Sequence, residues 1–236
     1  MSGLSVTAAG VAADAVEEHL PALVEERFAS RLFDQDATLW GPDAQDEASK
    51  RLSWVGLARG SRHLVGDESL HAQLVDDVTT WAPRGKNFLG HLSAQVVAHE
   101  PPLGFFRGFV VARAGEHKDT LDLKRGGVGL IVDLARVHAL RTGLVSVNTR
   151  SRLLAAGRAG AISEGAAESL VDALEFISHV RLVHQSRQAV AGSQPDSRLR
   201  PDELTAFERR TLREAFHVVR EAQQALAQQS STRFFS

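Results

Sequence analysis

The chain has 236 residues, which suits one large domain or a medium domain with an appendage, and its 43% hydrophobic and 24% charged residues allow a real core under an ordinary surface. A net charge of −2 gives no global pull toward nucleic acid or an anionic membrane. With no cysteine and no tyrosine, disulfide scaffolds, thiol catalysis, cysteine-ligated zinc and phenolic acid–base chemistry are excluded.

Met1 to Gly10 lacks a basic region followed by an apolar stretch, so no signal peptide is expected. No run approaches the roughly 20 apolar residues of a membrane helix. A cytoplasmic protein is the expectation. Residues 11–33 carry Val16, Leu20, Leu23, Val24, Phe28 and Leu32 at helical spacing. Pro21 inside that run predicts two helices or a kink. Residues 36–42 read as a loop, 43–52 as one short helix and 58–62 as a linker.

Asp67 is a natural N-cap for a helix through Val78. Pro83-Arg84-Gly85 breaks the pattern, and a helix over 88–99 follows, stopped by Pro101-Pro102. Residues 103–112 are rich in Phe and Val and fit strand or helix. Residues 120–124 alternate apolar and polar, the pattern of a short strand. A turn at Arg125-Gly126-Gly127 precedes a helix over 128–141, with Gly143 as its stop. Residues 148–159 are helical, and Ser163 caps a long helix reaching Ala191. Residues 192–201 are a polar loop. Thr205 and Glu208 form a capping box for a last helix whose core stripe is Leu212, Phe216, Val219 and Leu226. The fold class expected is mostly all-α: a helical bundle with at most one short β-hairpin, plus an N-terminal helical segment.

The common catalytic signatures are missing. There is no H-E-x-x-H, and His179 and His184 lie five apart, so they do not share a helix face. There is no G-x-S-x-G elbow. A phosphate loop at Gly85-Lys86 would need glycine at Thr80 and a hydroxyl at Asn87. A dinucleotide fingerprint from Gly127 would need glycine at Val132. No catalytic residue and no metal ligand is assigned.

Two features carry more. The stretch Leu121-Asp122-Leu123-Lys124-Arg125-Gly126-Gly127-Val128-Gly129 places two cations and three glycines before a helix, a pattern that can present backbone N–H groups and a helix N-terminus to an anion. It can equally be a tight turn with solvated Lys124 and Arg125. On the last helix, Arg209, Arg213, His217 and Arg220 recur on one face. Arg181, His184, Gln185 and Gln188 do so on the helix before it. Packed antiparallel, the two stripes could line one groove; the bland alternative is two solvated faces.

Over about 62–219 the chain resembles the nucleotidyltransferase substrate-binding domain family. The stretches that carry this are HLVGDESL (63–70), EPPLGFFRGFVV (100–111), HKDTLDLKRGGVGLIVDLARVHAL (117–140), LVDALEFISHVRLVHQ (170–185) and PDELTAFERRTLREAFHVV (201–219). In that family a helical domain follows a catalytic nucleotidyltransferase domain. LDLKRGG with Asp133 and Arg136 is similar to a strand–turn–helix that related signal-transducing enzymes set beside the catalytic cleft. The resemblance implies Asp122, Lys124, Arg125, Gly126, Gly127, Arg136, Arg181 and His184 as substrate- or phosphate-binding candidates. The catalytic domain of such enzymes needs a Gly-Ser turn and an Asp-x-Asp pair to hold Mg²⁺. Gly60-Ser61 occurs here without that pair.

Residues 4–57, with ASRLFDQDATLWGPDAQDEASKRLSWVGL (29–57), resemble the N-terminal segment of actinobacterial glucose-6-phosphate isomerase, without its sugar-phosphate loops or catalytic glutamate. Two parts are therefore expected: an isomerase-like fragment over 1–58 and the substrate-binding-like domain over 59–236, a gene fusion. The implied function is a substrate-binding or regulatory domain with no self-contained activity. The alternatives are a truncated isomerase-like chain, itself without isomerase activity, and a non-functional fusion. No cofactor is expected on this chain alone; nucleotide and Mg²⁺ would enter only with a catalytic partner domain in trans. A nucleotide or other small molecule is the ligand expected, with no membrane and no nucleic acid.

Overall fold

The computed structural model describes residues 68–104, 108–115, 117–146 and 148–234. The elements expected over 11–33 and 43–52, the linker at 58–62 and the cap at Asp67 lie outside the described residues. The chain divides into two compact units, whose described parts fall in 68–92 with 140–146 and in 93–139 with 148–234.

In the first unit, α1 (Glu68–Trp81) buries Leu74 and Val78, one helical turn apart. It runs three residues past the expected stop at Val78. Pro83 then sits within a 3₁₀ turn, Ala82–Arg84, where its missing N–H costs little. The Arg84 guanidinium lies 5.2 Å from the centre of the Trp81 ring, a cation–π contact. Gly143 has φ +64°, and a Cβ there would stand 2.8 Å from the Thr79 carbonyl oxygen, so the expected helix stop needs glycine for two reasons. Phe88 and Leu89, in the first half of α2 (Lys86–Ala98), are buried.

In the second unit, α2 ends at Ala98. Continuing it would require N–H groups from Pro101 and Pro102 for the carbonyls of Val97 and Ala98, and proline has none. The described residues of the ambiguous segment 103–112 form neither helix nor regular strand. Gly104 N–H donates to the Gly108 carbonyl at 2.8 Å and Val110 N–H to that of Pro102 at 3.0 Å, with one isolated bridge between Leu103 and Phe109. Phe109 meets Phe216 edge-on, ring centres 6.0 Å apart.

The expected strand appears as β1 (Leu121–Asp122). Its antiparallel partner, β2 (Arg198–Leu199), comes from the polar loop expected after the long helix. Leu121 faces Leu199 and Asp122 faces Arg198, a cross-strand pair of opposite charge. Lys124–Gly129 is a single π-type turn, marked by Val128 N–H donating to the Leu123 carbonyl, and it leads into α3 (Leu130–Arg141).

The remaining helices start at side-chain caps, of which Ser163 and the Thr205–Glu208 pair are the ones expected. Asn148 Oδ1 accepts from Ser151 N–H ahead of α4 (Thr149–Arg158), and Ser163 Oγ from Ala166 N–H ahead of α5 (Glu164–Val190). Thr205 and Glu208 form the expected reciprocal box at the start of α6 (Ala206–Phe234). Gly157 lets α4 lie close to α5, since a Cβ there would be 3.0 Å from that of Ala167. α5 and α6 pack antiparallel around Leu170, Ile177, Leu212, Phe216 and Val219, all buried. The described chain is mostly all-α, with a single two-residue ladder. None of its helices is long and apolar enough to cross a membrane.

Candidate binding groove

The face of α6 that the sequence marks as basic meets the end of α2. Gln223, buried in the middle of α6, aims its side-chain amide at the orphan carbonyls of that end. Its Nε2 donates to Val96 O at 2.8 Å and to His99 O at 2.7 Å. One turn earlier, Arg220 donates from a terminal guanidinium nitrogen to Leu103 O at 2.9 Å. These bonds fix segment 96–104 alongside α6 and leave a groove of about 500 Å³ between them. Arg213, His217 and Arg220 stand on one wall, and Val97, Glu100 and Leu103 on the other. Gln224 and Ala227 extend the α6 wall. A volume of this size suits a small molecule.

Three charged or ionisable groups of the groove, Arg220, His217 and Glu100, meet no ion-pair partner among the described residues. Among the described residues, Arg220 makes its one bond to a carbonyl and meets no carboxylate at ion-pair distance, and its Nε is buried with no acceptor. His217 and Glu100 likewise have no ionic or hydrogen-bonded partner among the described residues. His217 and Glu100 are exposed, whereas the buried, unmet Nε of Arg220 carries a cost of about 1–3 kcal/mol.

The turn at 122–127 has a different geometry from an anion cradle. Asp122 Oδ1 already accepts from the backbone N–H groups of Lys124 (3.1 Å) and Arg125 (2.9 Å), while Oδ2 lies 3.6 Å from Arg198. The first two amides of the turn are thus held by the protein's own carboxylate. The glycines answer to packing. A Cβ on Gly127 would stand 2.9 Å from Ile177 Cγ2 and 3.3 Å from Phe216 Cε1, and one on Gly126 would stand 3.1 Å from Pro102 Cδ. The side chains of Lys124 and Arg125 are exposed. Arg136 pairs with Asp133 on the same helix at 3.0 Å.

His184 is buried, and both ring nitrogens face carboxylates: Nδ1 is 3.2 Å from Glu203 Oε2 and Nε2 is 3.3 Å from Asp196 Oδ1. A carboxylate only accepts, so each of these bonds uses an N–H of the ring. Gln188 adds two bonds to Asp196, through its amide to Oδ1 and its carbonyl to the backbone N–H. Burial pushes the Asp196 carboxyl up, but hydrogen bonds from the Arg198 backbone, Gln188 and His184 outweigh it and hold it below the usual carboxylate range. His184 and Gln188 therefore fasten the 196–203 loop to α5. The two polar stripes do not share a groove: Arg213, His217 and Arg220 face segment 97–104, and neither Arg181, half-buried on α5, nor His184 lines that groove. The partner wall, Val97 to Leu103, escapes sequence reading because it is a helix end and a non-repetitive loop. No group of three or more His, Asp or Glu side chains among the described residues could hold a metal ion.

No curated protein and no solved structure matches the chain. The isomerase resemblance of residues 4–57 therefore finds no support in these comparisons. One family model does match, over residues 86–230, which contain α2 to most of α6 and the whole groove. That stretch is more than half of the chain, and the protein belongs to the family described as "putative nucleotidyltransferase substrate binding domain".

Proposed function

We propose that this chain is a binding module for nucleotidyl transfer, which holds the molecule to be modified in the groove between α6 and segment 97–104. The carrying observation is a groove, inside the region that matches the family, in which Arg220, His217 and Glu100 meet no ion-pair partner among the described residues. Bond making and breaking would belong to a catalytic nucleotidyltransferase domain acting in trans, which would bring the nucleotide and Mg²⁺. In this reading the exposed Lys124 and Arg125 act through side-chain charge, as contacts to that domain. Asp122, Gly126 and Gly127 shape the turn, and His184 shapes the 196–203 loop.

The test is thermal denaturation of the purified chain against nucleoside mono-, di- and triphosphates and small phosphorylated or carboxylated metabolites. A ligand at a hundred times its Kd adds about 2.7 kcal/mol, roughly 5–10 °C for a chain of this size. The proposal expects one class to stabilise wild type, to lose its effect in Ala227→Trp, which fills the groove, and to keep it in Lys124→Ala/Arg125→Ala. Stabilisation that survives the tryptophan and is lost in the double variant would move the site to the turn. No stabilisation by any class would contradict the proposal. The isomerase-like reading has its own assay: turnover of glucose 6-phosphate by the purified chain would overturn the ranking of the two.

A further inference from the structure

The groove's walls are not uniform along their length, and this narrows what it can hold. Gln223 is bonded to Val96 and His99, and Arg220 to Leu103, so segment 97–104 runs opposite in direction to α6. Arg213, His217 and Arg220 follow one another at i, i+4 and i+7 on one face, about 10 Å from first to last at 1.5 Å per residue. The α6 wall then continues with Gln224 and Ala227, about another 10 Å at the same rise. One end thus gathers the guanidinium and imidazole groups against Leu103 and Gly104, and the other offers Ala227 and Val97. Glu100 lies between them.

Among the described lining residues two arginines stand with one carboxylate. Two carbonyl groups near the α2 end that would repel an anion, those of Val96 and His99, are engaged by Gln223, and that of Leu103, further along the segment, is engaged by Arg220. Gln223 has thereby committed its amide N–H groups.

We infer that the groove takes an elongated small molecule with an anionic head, a phosphate monoester or carboxylate, seated at Arg213, His217 and Arg220, and a weakly polar body lying along Val97 and Ala227. A hydroxyl or amine on that body would meet Glu100. The inference rests on the groove being the binding site, and it assigns the chemical class of the ligand. Arginine suits the head, because its planar fork matches phosphate and carboxylate oxygens two at a time.

Calorimetry with five probes tests it: hexyl phosphate, hexanoate, hexylamine, hexanol and inorganic phosphate, on wild type, Arg213→Gln, Arg220→Met, His217→Gln and Ala227→Trp. Hexyl phosphate should bind at least tenfold more tightly than inorganic phosphate, since each buried methylene is worth about fourfold. Hexylamine should not bind. Each arginine variant should weaken hexyl phosphate about tenfold or more, the loss of one charge-assisted contact. Circular dichroism establishes that Arg220→Met is folded; Arg213→Gln carries the same test without the bond to Leu103. Tighter binding of hexyl phosphate than of hexanoate names the head as phosphate, and the reverse names it as carboxylate. Failure of both anionic probes to bind overturns the inference. Equal affinity for hexanol and hexyl phosphate, lost in Ala227→Trp, also overturns it and leaves the groove as the binding site. Binding that Ala227→Trp does not alter for any probe overturns both readings.

Discussion

Gln223→Met is the perturbation with the clearest magnitude. Gln223 is 4% exposed, and its amide bonds the carbonyls of Val96 and His99 at 2.8 and 2.7 Å. Methionine fills similar space and donates nothing. Extending α2 would give the Val96 carbonyl the Glu100 N–H, but Pro101 disfavours helical backbone at Glu100, and neither proline can carry the helix on to the Leu103 N–H that the His99 carbonyl would need. An unmet buried carbonyl costs about 1–3 kcal/mol. The Val96 bond is fully buried, whereas the His99 carbonyl is only partly so and can regain some bonding from water. The expected loss is about 2–3 kcal/mol in urea unfolding followed by helical circular dichroism, with an unchanged slope. Gln223→Glu should lose at least as much at neutral pH, since it sets a carboxylate against two carbonyl oxygens, and should recover on acidification. A Gln223→Met variant within about 0.5 kcal/mol of wild type, the range of ordinary surface changes, would refute the claim that this amide fixes segment 96–104 against α6.

Gly127→Ala should cost about 1–3 kcal/mol by the same assay, because its Cβ meets Ile177 and Phe216, while Gly165→Ala, with open space around it in α5, should be neutral or stabilise by up to about 1 kcal/mol. His184→Ala should destabilise by about 1–3 kcal/mol and raise proteolytic cleavage within 192–203, since two carboxylates lose their shared donor. The Asp196 carboxyl titrates below its unfolded value, so its contribution is present above the ordinary carboxylate range and lost as pH falls through the lowered folded value. Asp196→Asn should therefore flatten the acid limb of a stability–pH curve, and an unchanged limb would contradict the bridge. Thr205→Ala should cost about 1 kcal/mol and leave Glu208, whose carboxyl is held low first by the Thr205 backbone N–H, with half of the cap.

Helix limits were legible wherever a local chemical stop exists. Asn148, Ser163, the Thr205–Glu208 pair, Pro101-Pro102 and Gly143 all sit where the elements begin or end. β2 was not legible, because two residues of a polar loop acquire strand geometry only by meeting Leu121 and Asp122 from far along the chain. The glycines at 126 and 127 show why a motif underdetermines its role. The same pattern serves close packing or an anion, and what distinguishes them is the position of Ile177, Phe216 and Pro102, a tertiary fact. The basic stripe of α6 was visible from its spacing, and half of the groove with it. Whether α5 supplies its opposite wall stays open in the sequence, because the engagement of α5's polar face by Asp196 and Glu203 depends on how the 196–203 loop folds back.

Backbone amide shifts of the ¹⁵N-labelled chain titrated with hexyl phosphate test the account's central claim most directly. The account predicts that the perturbed amides cluster in 97–104 and 213–227. Perturbations centred on 121–127, or none, would contradict it.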